Sequence, residues 1–305
     1  MIDRVTNQTQ MRAAQRNLQE NMTQLARLQE QASTLKNINR SSDDPTAAAT
    51  AMSVRAEMRA VDQYSANANN GNDWLTTIGS ALASVTDIMN RVRDLTVQGA
   101  NSGALTATAK EAIAVEIEGL KTDLATQANT KYLGRSVFAG NSDAATAFLE
   151  STTTPGEYVY TGGQGSVERR ISAHSTVRVD ADGGSIFNAE TSPGSGSAFK
   201  LFDDIIGDLR SATPVDVGAR LQTLDERMAV MVGQHTEIGA RQVQMERAQS
   251  TLLEKAGTLD VQRSGIEDAD LGQVIIDLKL QEVTYQADLA VTARVLQPTL
   301  MDFLA

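Results

Sequence analysis

The chain contains no cysteine, which excludes disulfides, thiolate catalysis and cysteine-based zinc sites. Aromatic residues make up only 4% of its 305 residues, thin material for the interior of a globular enzyme. Basic residues are outnumbered: 27 Lys and Arg against 38 Asp and Glu give a net charge of −11. That balance speaks against a nucleic-acid partner, and its sign against an anionic membrane surface. There is no run of about 18 apolar residues that would span a bilayer, and Met1–Gln8 lacks the apolar core of a cleavable secretory signal. Any export is therefore expected to use another route. Histidine is nearly absent as well. His174 and His235 sit in different segments with no H-E-x-x-H spacing, so zinc has no ligand set.

Proline is scarce, and its placement sketches an architecture. The five are Pro45, Pro155, Pro193, Pro214 and Pro298. An interior proline costs a helix about 3 kcal/mol, so the intervals Pro45–Pro155 and Pro214–Pro298 are free for long helices. The interval between them is rich in glycine. The fold class expected is mainly α with a small inserted β domain.

What the chain has in quantity is helical striping. From Asp270 to the C-terminus, Leu271, Ile275, Leu278, Tyr285, Leu289, Leu296 and Phe303 recur at steps of four and three, with Glu282 and Thr292 filling the gaps. This is the narrow stripe of a helix that lies against another helix. At about 1.5 Å per residue, roughly 33 residues make a rod of about 50 Å. A second stripe runs through Met11, Leu18, Leu25 and Ala32 at sevenfold spacing, with Met22, Leu28, Leu35 and Ile38 interleaved. Between those positions lie Gln15, Asn17, Gln19, Gln24 and Gln29, uncharged amides that suit either a solvated face or a contact between subunits.

Asp44 followed by Pro45 offers an N-cap and a first helical residue for a helix to about Gln98, with Asn67–Gly71 as the expected loosening or kink. Thr108 with Glu111 offers a capping box for a third helix ending near Asn129. Period-two patterning then predicts Tyr158–Tyr160 and Val167–Ile171 as a hairpin around Gly162–Gly165, and a strand from Thr176 to Asp180. Phe199–Leu209 reads as a short helix. A long pattern from Val217 to about Val261 is expected to break at Ser264-Gly265 before the terminal rod.

Candidate chemistry is thin. Asp180-Ala181-Asp182-Gly183 resembles the opening of a calcium loop, but Ser185, Ile186 and Thr191 follow where further ligands are needed; a turn is the expected reading. Gly162-Gly163-Gln164-Gly165 has no helix start or lysine at the offset of a phosphate loop. No Gly-x-Ser-x-Gly elbow occurs. No catalytic, cofactor or metal residue is assigned. Of three classes (a structural axial subunit, a long-helix signalling module, an enzyme in the β insert), the terminal stripes favour the first.

Three motifs carry a family resemblance: Asn39-Arg40-Ser41-Ser42-Asp43-Asp44-Pro45, Asn67-Ala68-Asn69-Asn70-Gly71, and Arg91-Val92-Arg93-Asp94-Leu95-Thr96-Val97-Gln98-Gly99-Ala100-Asn101. In order and spacing they resemble the N-terminal signature of bacterial flagellins, and Ile266-Glu267-Asp268-Ala269-Asp270 before a long helix is similar to the C-terminal region. The ending Leu296-Gln297-Pro298-Thr299-Leu300-Met301-Asp302-Phe303 most resembles the hook-associated branch at the hook-filament junction, with filament flagellin as the alternative. The resemblance implies an elongated flagellin-like bundle divided as follows: N-terminal coiled-coil helix 1–41, bundle 42–133 and 199–268, outer β insert 134–198, C-terminal coiled-coil helix 269–305. It implies a structural, non-enzymatic subunit of the flagellum, exported without signal cleavage. Its implied partners are copies of itself in a helical or ring-like assembly, an adjacent hook-associated protein and flagellin, and an export chaperone on the C-terminal helix. The assembly interface expected from the stripes is Met11, Leu18, Met22, Leu25, Leu35, Leu271, Ile275, Leu278, Tyr285, Leu289, Leu296 and Phe303. The family motif residues are Asn39, Ser42, Asp43, Asp44, Pro45, Arg91, Arg93 and Asn101. Both chain ends are expected to order only on assembly.

Overall fold

Caps and apolar period decide where the long helices begin. The computed structural model describes residues 7–100, 105–152, 156–163, 165–187, 197–211 and 217–295. The chain is mainly helical, as its sequence predicts, with a small β-containing part; among the described residues α1 (Asn7–Thr34), α2 (Pro45–Ala100) and α3 (Ala107–Ala128) precede six short strands, and α4 (Gly183–Phe187), α5 (Ala198–Arg210), α6 (Ala219–Glu267) and α7 (Leu271–Val295) follow. Asp44 caps α2, its Oδ1 accepting from the amides of Thr46 at 3.0 Å and Ala47 at 2.9 Å, while Pro45 occupies the first helical position. Asp270 does the same for α7, accepting from Gly272 at 2.9 Å.

Three local expectations are corrected. α2 runs unbroken through Asn67–Gly71. The side chains there are engaged: Asn67 Nδ2 donates to the Arg170 carbonyl at 2.9 Å, and Asn70 Oδ1 accepts from Arg169 Nε at 2.9 Å. Gly71 admits the Met245 side chain so closely that a Cβ would sit 2.5 Å from its methyl. Tertiary packing overrides the poor local propensity. The cap of α3 is Thr106, accepting from the Ala109 amide at 3.2 Å, two residues before the expected capping box. α6 continues past Ser264-Gly265 to Glu267, a single glycine costing only about 1 kcal/mol in a helix held elsewhere.

The largest correction concerns the strands. β1 (Lys131–Tyr132) pairs with β2 (Arg135–Ser136), β3 (Phe148–Glu150) with β4 (Tyr158–Tyr160), and β5 (Glu168–Arg170) with β6 (Thr176–Arg178), each antiparallel. Tyr158–Tyr160 and Glu168–Arg170 therefore belong to different pairs, and Gly162–Gly165 is not a hairpin turn. The glycines pack against the preceding loop instead: Gly163 N donates to the Ala139 carbonyl and Asn141 N to that of Gly165, both at 3.0 Å. Gly140, at φ 59°, lies where a Cβ would stand 2.5 Å from the Gly163 carbonyl oxygen, so only glycine fits.

The chain divides into two units: unit 1 comprises Met1–Ala60 and Lys255–Ala305, and unit 2 comprises Val61–Glu254. Unit 2 has a closed interior. Leu75, Ile78, Leu82, Val85, Met89 and Val92 of α2 are fully covered, as are Ile117 and Leu124 of α3. The scarce aromatics are concentrated here: Phe148 meets Tyr160, Phe187 and Phe199 at ring separations of 5.2–5.5 Å. Asp180, fully buried, accepts from Val167 N at 2.7 Å and from Arg178 at 3.0 and 2.9 Å, while Asp182 caps α4 through the Gly184 amide at 3.0 Å. Both aspartates of the calcium-like stretch thus serve the fold.

Candidate assembly surface

Within unit 1, α1 and α7 pack against each other in antiparallel fashion. One end of the pair is clasped by backbone: Ala269 N donates to the Leu35 carbonyl at 3.0 Å and Asn37 N to that of Glu267 at 2.7 Å. Leu35 turns the chain with φ 55°, and its side chain is exposed.

A line of reduced exposure runs down each helix. On α1 it passes through Ala14, Leu18, Asn21, Leu25, Leu28 and Ala32; on α7 through Val274, Leu278, Gln281, Tyr285, Asp288 and Thr292. Both alternate steps of four and three, the seam of a two-helix coil. Its middle is polar. Gln281 Nε2 donates to the Asn21 carbonyl at 3.2 Å and to its Oδ1 at 3.1 Å, and Asn21 Nδ2 donates to Asp288 Oδ2.

The sequence stripe on α7 shares Leu278, Tyr285 and Thr292 with this seam but is rotated from it by about 60° on a wheel of 3.6 residues per turn. Leu271, Ile275 and Leu289 stand on that exposed flank. Of the α1 positions, Leu18 and Leu25 lie in the seam, and Met11 and Met22 are exposed. Leu296 and Phe303 lie outside the described residues. Val274, Asn21, Gln281 and Asp288 were missed. Their signal was available, since 274, 281 and 288 are spaced by sevens, but two of the three are polar and an apolar template passes over them.

Roughly opposite the seam, α7 carries a second line. Ile276, Leu280 and Val283 are 63%, 66% and 63% exposed and Val291 57%; Ala287 and Ala290 between them are exposed too. α7 thus shares a mixed face, apolar at Val274 and Leu278 and polar at Gln281 and Asp288, with α1, and presents an apolar line to water. Each such side chain would contribute roughly 1.5–3 kcal/mol if fully buried.

The motif residues have structural partners. Asp43 Oδ2 accepts from the Arg40 amide at 2.9 Å, fixing the turn before the Asp44 cap; Asn39 and Ser42 belong to the same turn. In unit 2, Arg91 Nε reaches Glu116 and Arg93 Nε reaches Asp225, each at 2.7 Å; the hydrogen bond to Asp225 raises the Arg93 guanidinium above its ordinary range. Asn101 lies outside the described residues.

No helix among the described residues is long and apolar enough to cross a membrane. Among the described residues, the arrangement is one of long helices, α1 paired with α7 and an open apolar line on α7. Residues 5–143 match the family model described as bacterial flagellin N-terminal helical region. The chain is 26% identical over 290 residues to the flagellar filament 33 kDa core protein of Treponema phagedenis, covering 94% of this chain and 93% of that one. It is 28% identical over 280 residues to flagellar hook-associated protein 3 of Escherichia coli, covering 85% and 86%. A solved flagellar hook-associated protein from Vibrio parahaemolyticus shares its fold at TM-score 0.67 and 23% identity, over 74% of this chain and 100% of that one. The chain is thus similar along most of its length to bacterial flagellins and to hook-associated proteins.

Proposed function

We propose that this chain is a structural subunit of the bacterial flagellum at the junction between hook and filament. It assembles through its terminal segments, 1–41 and 269–305, with the residues between them forming a bundle and an outer β insert. The observation that carries this reading is the open apolar line Ile276–Leu280–Val283–Val291 on α7, because a helix paired on one face with a second, apolar face exposed is suited to a further partner. Subunits joined by such a heterologous contact either close a ring or continue as a helix.

Copies of the chain form the layer, with a hook-associated protein on one side and flagellin as the neighbour toward the filament. Export proceeds without signal cleavage, a chaperone covering α7 on the way. The subunit performs no chemistry. The second reading, filament flagellin, is favoured by the near-complete overlap with the Treponema phagedenis core protein. Electron microscopy of the purified protein, alone and mixed with hook segments, separates the two. A short cap on one hook end supports the junction; long filaments from the protein alone support flagellin; no association in either sample overturns both.

A further inference from the structure

The two-residue loop between β1 and β2 puts a leucine where an L side chain seldom goes. Leu133 has φ 49° and Gly134 φ 82°, the paired positive values of a tight hairpin turn whose usual first residue is asparagine, aspartate or glycine. A leucine there is held in the left-handed region against its own Cβ. Its side chain is nevertheless 79% exposed, the highest value among the described large apolar residues, so burial inside the chain does not offset the conformation. The turn itself is firmly seated: the Tyr132 ring lies 5.4 Å from that of Trp74, and Arg135 lies 3.2 Å from Asp143. It presents one apolar side chain, preorganised and flanked by the exposed cations Lys131 and Arg135.

A receiving surface of opposite charge lies on the same unit. Asn90 and Arg93 of α2 and Asp225, Met228, Ala229 and Val232 of α6 line an open groove of about 480 Å3. Its α6 wall is apolar along Met228, Ala229 and Val232, and the 2.7 Å bond from Arg93 Nε to Asp225 Oδ1 bridges the two helices. A helix laid along the groove would meet that bridge, whereas a single projecting side chain would not. The flanks are acidic: Asp87 stands one turn before Asn90, Asp94 follows Arg93 and Glu226 follows Asp225, all exposed. We propose that Leu133 of one copy seats in this groove of a second copy, with Lys131 and Arg135 meeting the carboxylates at its rim. Knob and groove are different patches of unit 2, so each copy offers one of them to each neighbour, the heterologous contact that propagates an assembly. The inference rests on the reading that copies of the chain assemble, and adds a contact made by unit 2 to the one made by α7.

The chain has no cysteine, which makes disulfide trapping specific. Leu133→Cys and Val232→Cys chains are mixed, allowed to associate at high concentration with hook segments present, and oxidised. Crosslinked heterodimers are expected in about tenfold excess over those from Leu133→Cys mixed with Val115→Cys, Val115 being an exposed residue of α3 outside the groove. Leu133→Asn separates docking from folding, because asparagine accepts a positive φ more readily. Thermal unfolding of the monomer should stay where it is or move to higher temperature, while the concentration needed for assembly rises by about tenfold. Equal crosslinking at the two valine positions, assembly of Leu133→Asn at the wild-type concentration, or a fall in its unfolding temperature overturns the inference and leaves the assembly reading standing. Failure of the unsubstituted chain to associate overturns both.

Discussion

In unit 2 the apolar positions of α2, α3 and α5 meet one another across a closed interior, with Phe148, Phe187 and Phe199 completely covered. In the α1–α7 pair the seam is interrupted by Asn21, Gln281 and Asp288, and Ile276, Leu280 and Val283 face water. Helices of similar composition thus end in opposite situations, and the difference lies in how many partners each one finds within the chain. Among the described residues α2 buries a full apolar face in unit 2, while α7 packs against α1. Ordering a residue costs roughly 1–2 kcal/mol of backbone entropy, so a helix with a single polar-interrupted seam holds its shape weakly by itself, whereas the core of unit 2 is self-sufficient.

The largest expected effect tests that contrast directly. Amide exchange in a demonstrably monomeric sample should show Leu278–Ala290 at least 10³-fold less protected than Leu75–Val92, a difference of about 4 kcal/mol. Limited proteolysis should trim both ends toward a core near Ser42–Glu267. Equal, slow exchange in both segments would break the comparison.

A pair of substitutions separates folding from assembly. Phe148→Ala, at the centre of the aromatic cluster, should cost about 3–5 kcal/mol in urea unfolding. Leu280→Asp, on the open line of α7, should change monomer stability by no more than about 0.5 kcal/mol and abolish sedimentable assembly, because the charge would be buried without a partner only at the contact between subunits. Leu289→Asp on the flank should act in the same direction. Assembly of Leu280→Asp at wild-type concentration would remove the open line from the interface.

How much of this was legible depended on how many faces of each helix were apolar. The starts of α2 and α7 could be placed from Asp44-Pro45 and Asp270, since caps are local chemistry. The seam of α7 is rotated from the stripe read in the sequence, with Leu278, Tyr285 and Thr292 common to both, because more than one line of steps four and three can be drawn through Val274, Ile275, Leu278, Leu280 and Val283. The template chose the line with most leucines, and the structure uses the one holding Gln281 and Asp288. The strand pairing failed differently. Gly162–Gly165 has the composition of a turn, but Tyr158–Tyr160 finds its partner upstream at Phe148–Glu150, a choice made by the aromatic cluster around Phe148 and invisible to a local window.

A pH scan probes the interior of unit 2 alone. Burial, followed by the nearby charge of Asp182, pushes the Tyr160 hydroxyl up to about 12, and it donates to the Phe138 carbonyl at 3.0 Å. Unfolded, the same group ionises near pH 10. Between about pH 10 and 12 the native state keeps a proton that the unfolded state has released, so its contribution is complete below pH 10 and is lost as pH rises through that window. The loss amounts to at most about 3 kcal/mol. Tyr160→Phe should flatten this alkaline slope in unfolding experiments; an unchanged slope would assign it to other groups.

The smallest expected effect concerns the polar middle of the seam. Asn21, Gln281 and Asp288 satisfy one another at half-buried positions, where water can also reach them, so Asn21→Leu alone should change stability by less than about 1 kcal/mol. Replacing all three by leucine is different, since it removes the polar groups together and leaves none unpaired while extending the apolar line from Leu18 to Leu28 on α1 and from Val274 to Tyr285 on α7. Removing a matched polar set in favour of packed apolar groups is neutral to stabilising, and here the gain should be about 1 kcal/mol, read as a several-fold rise in amide protection across α7 in the monomer. The backbone clasp at Leu35–Ala269 is untouched, so the register stays as it is and the measurement reports on the seam alone. A rise would show that the weakness of the pair resides in three side chains; a fall would mean that the polar set holds the helices together and that α7 is better anchored than its open face suggests.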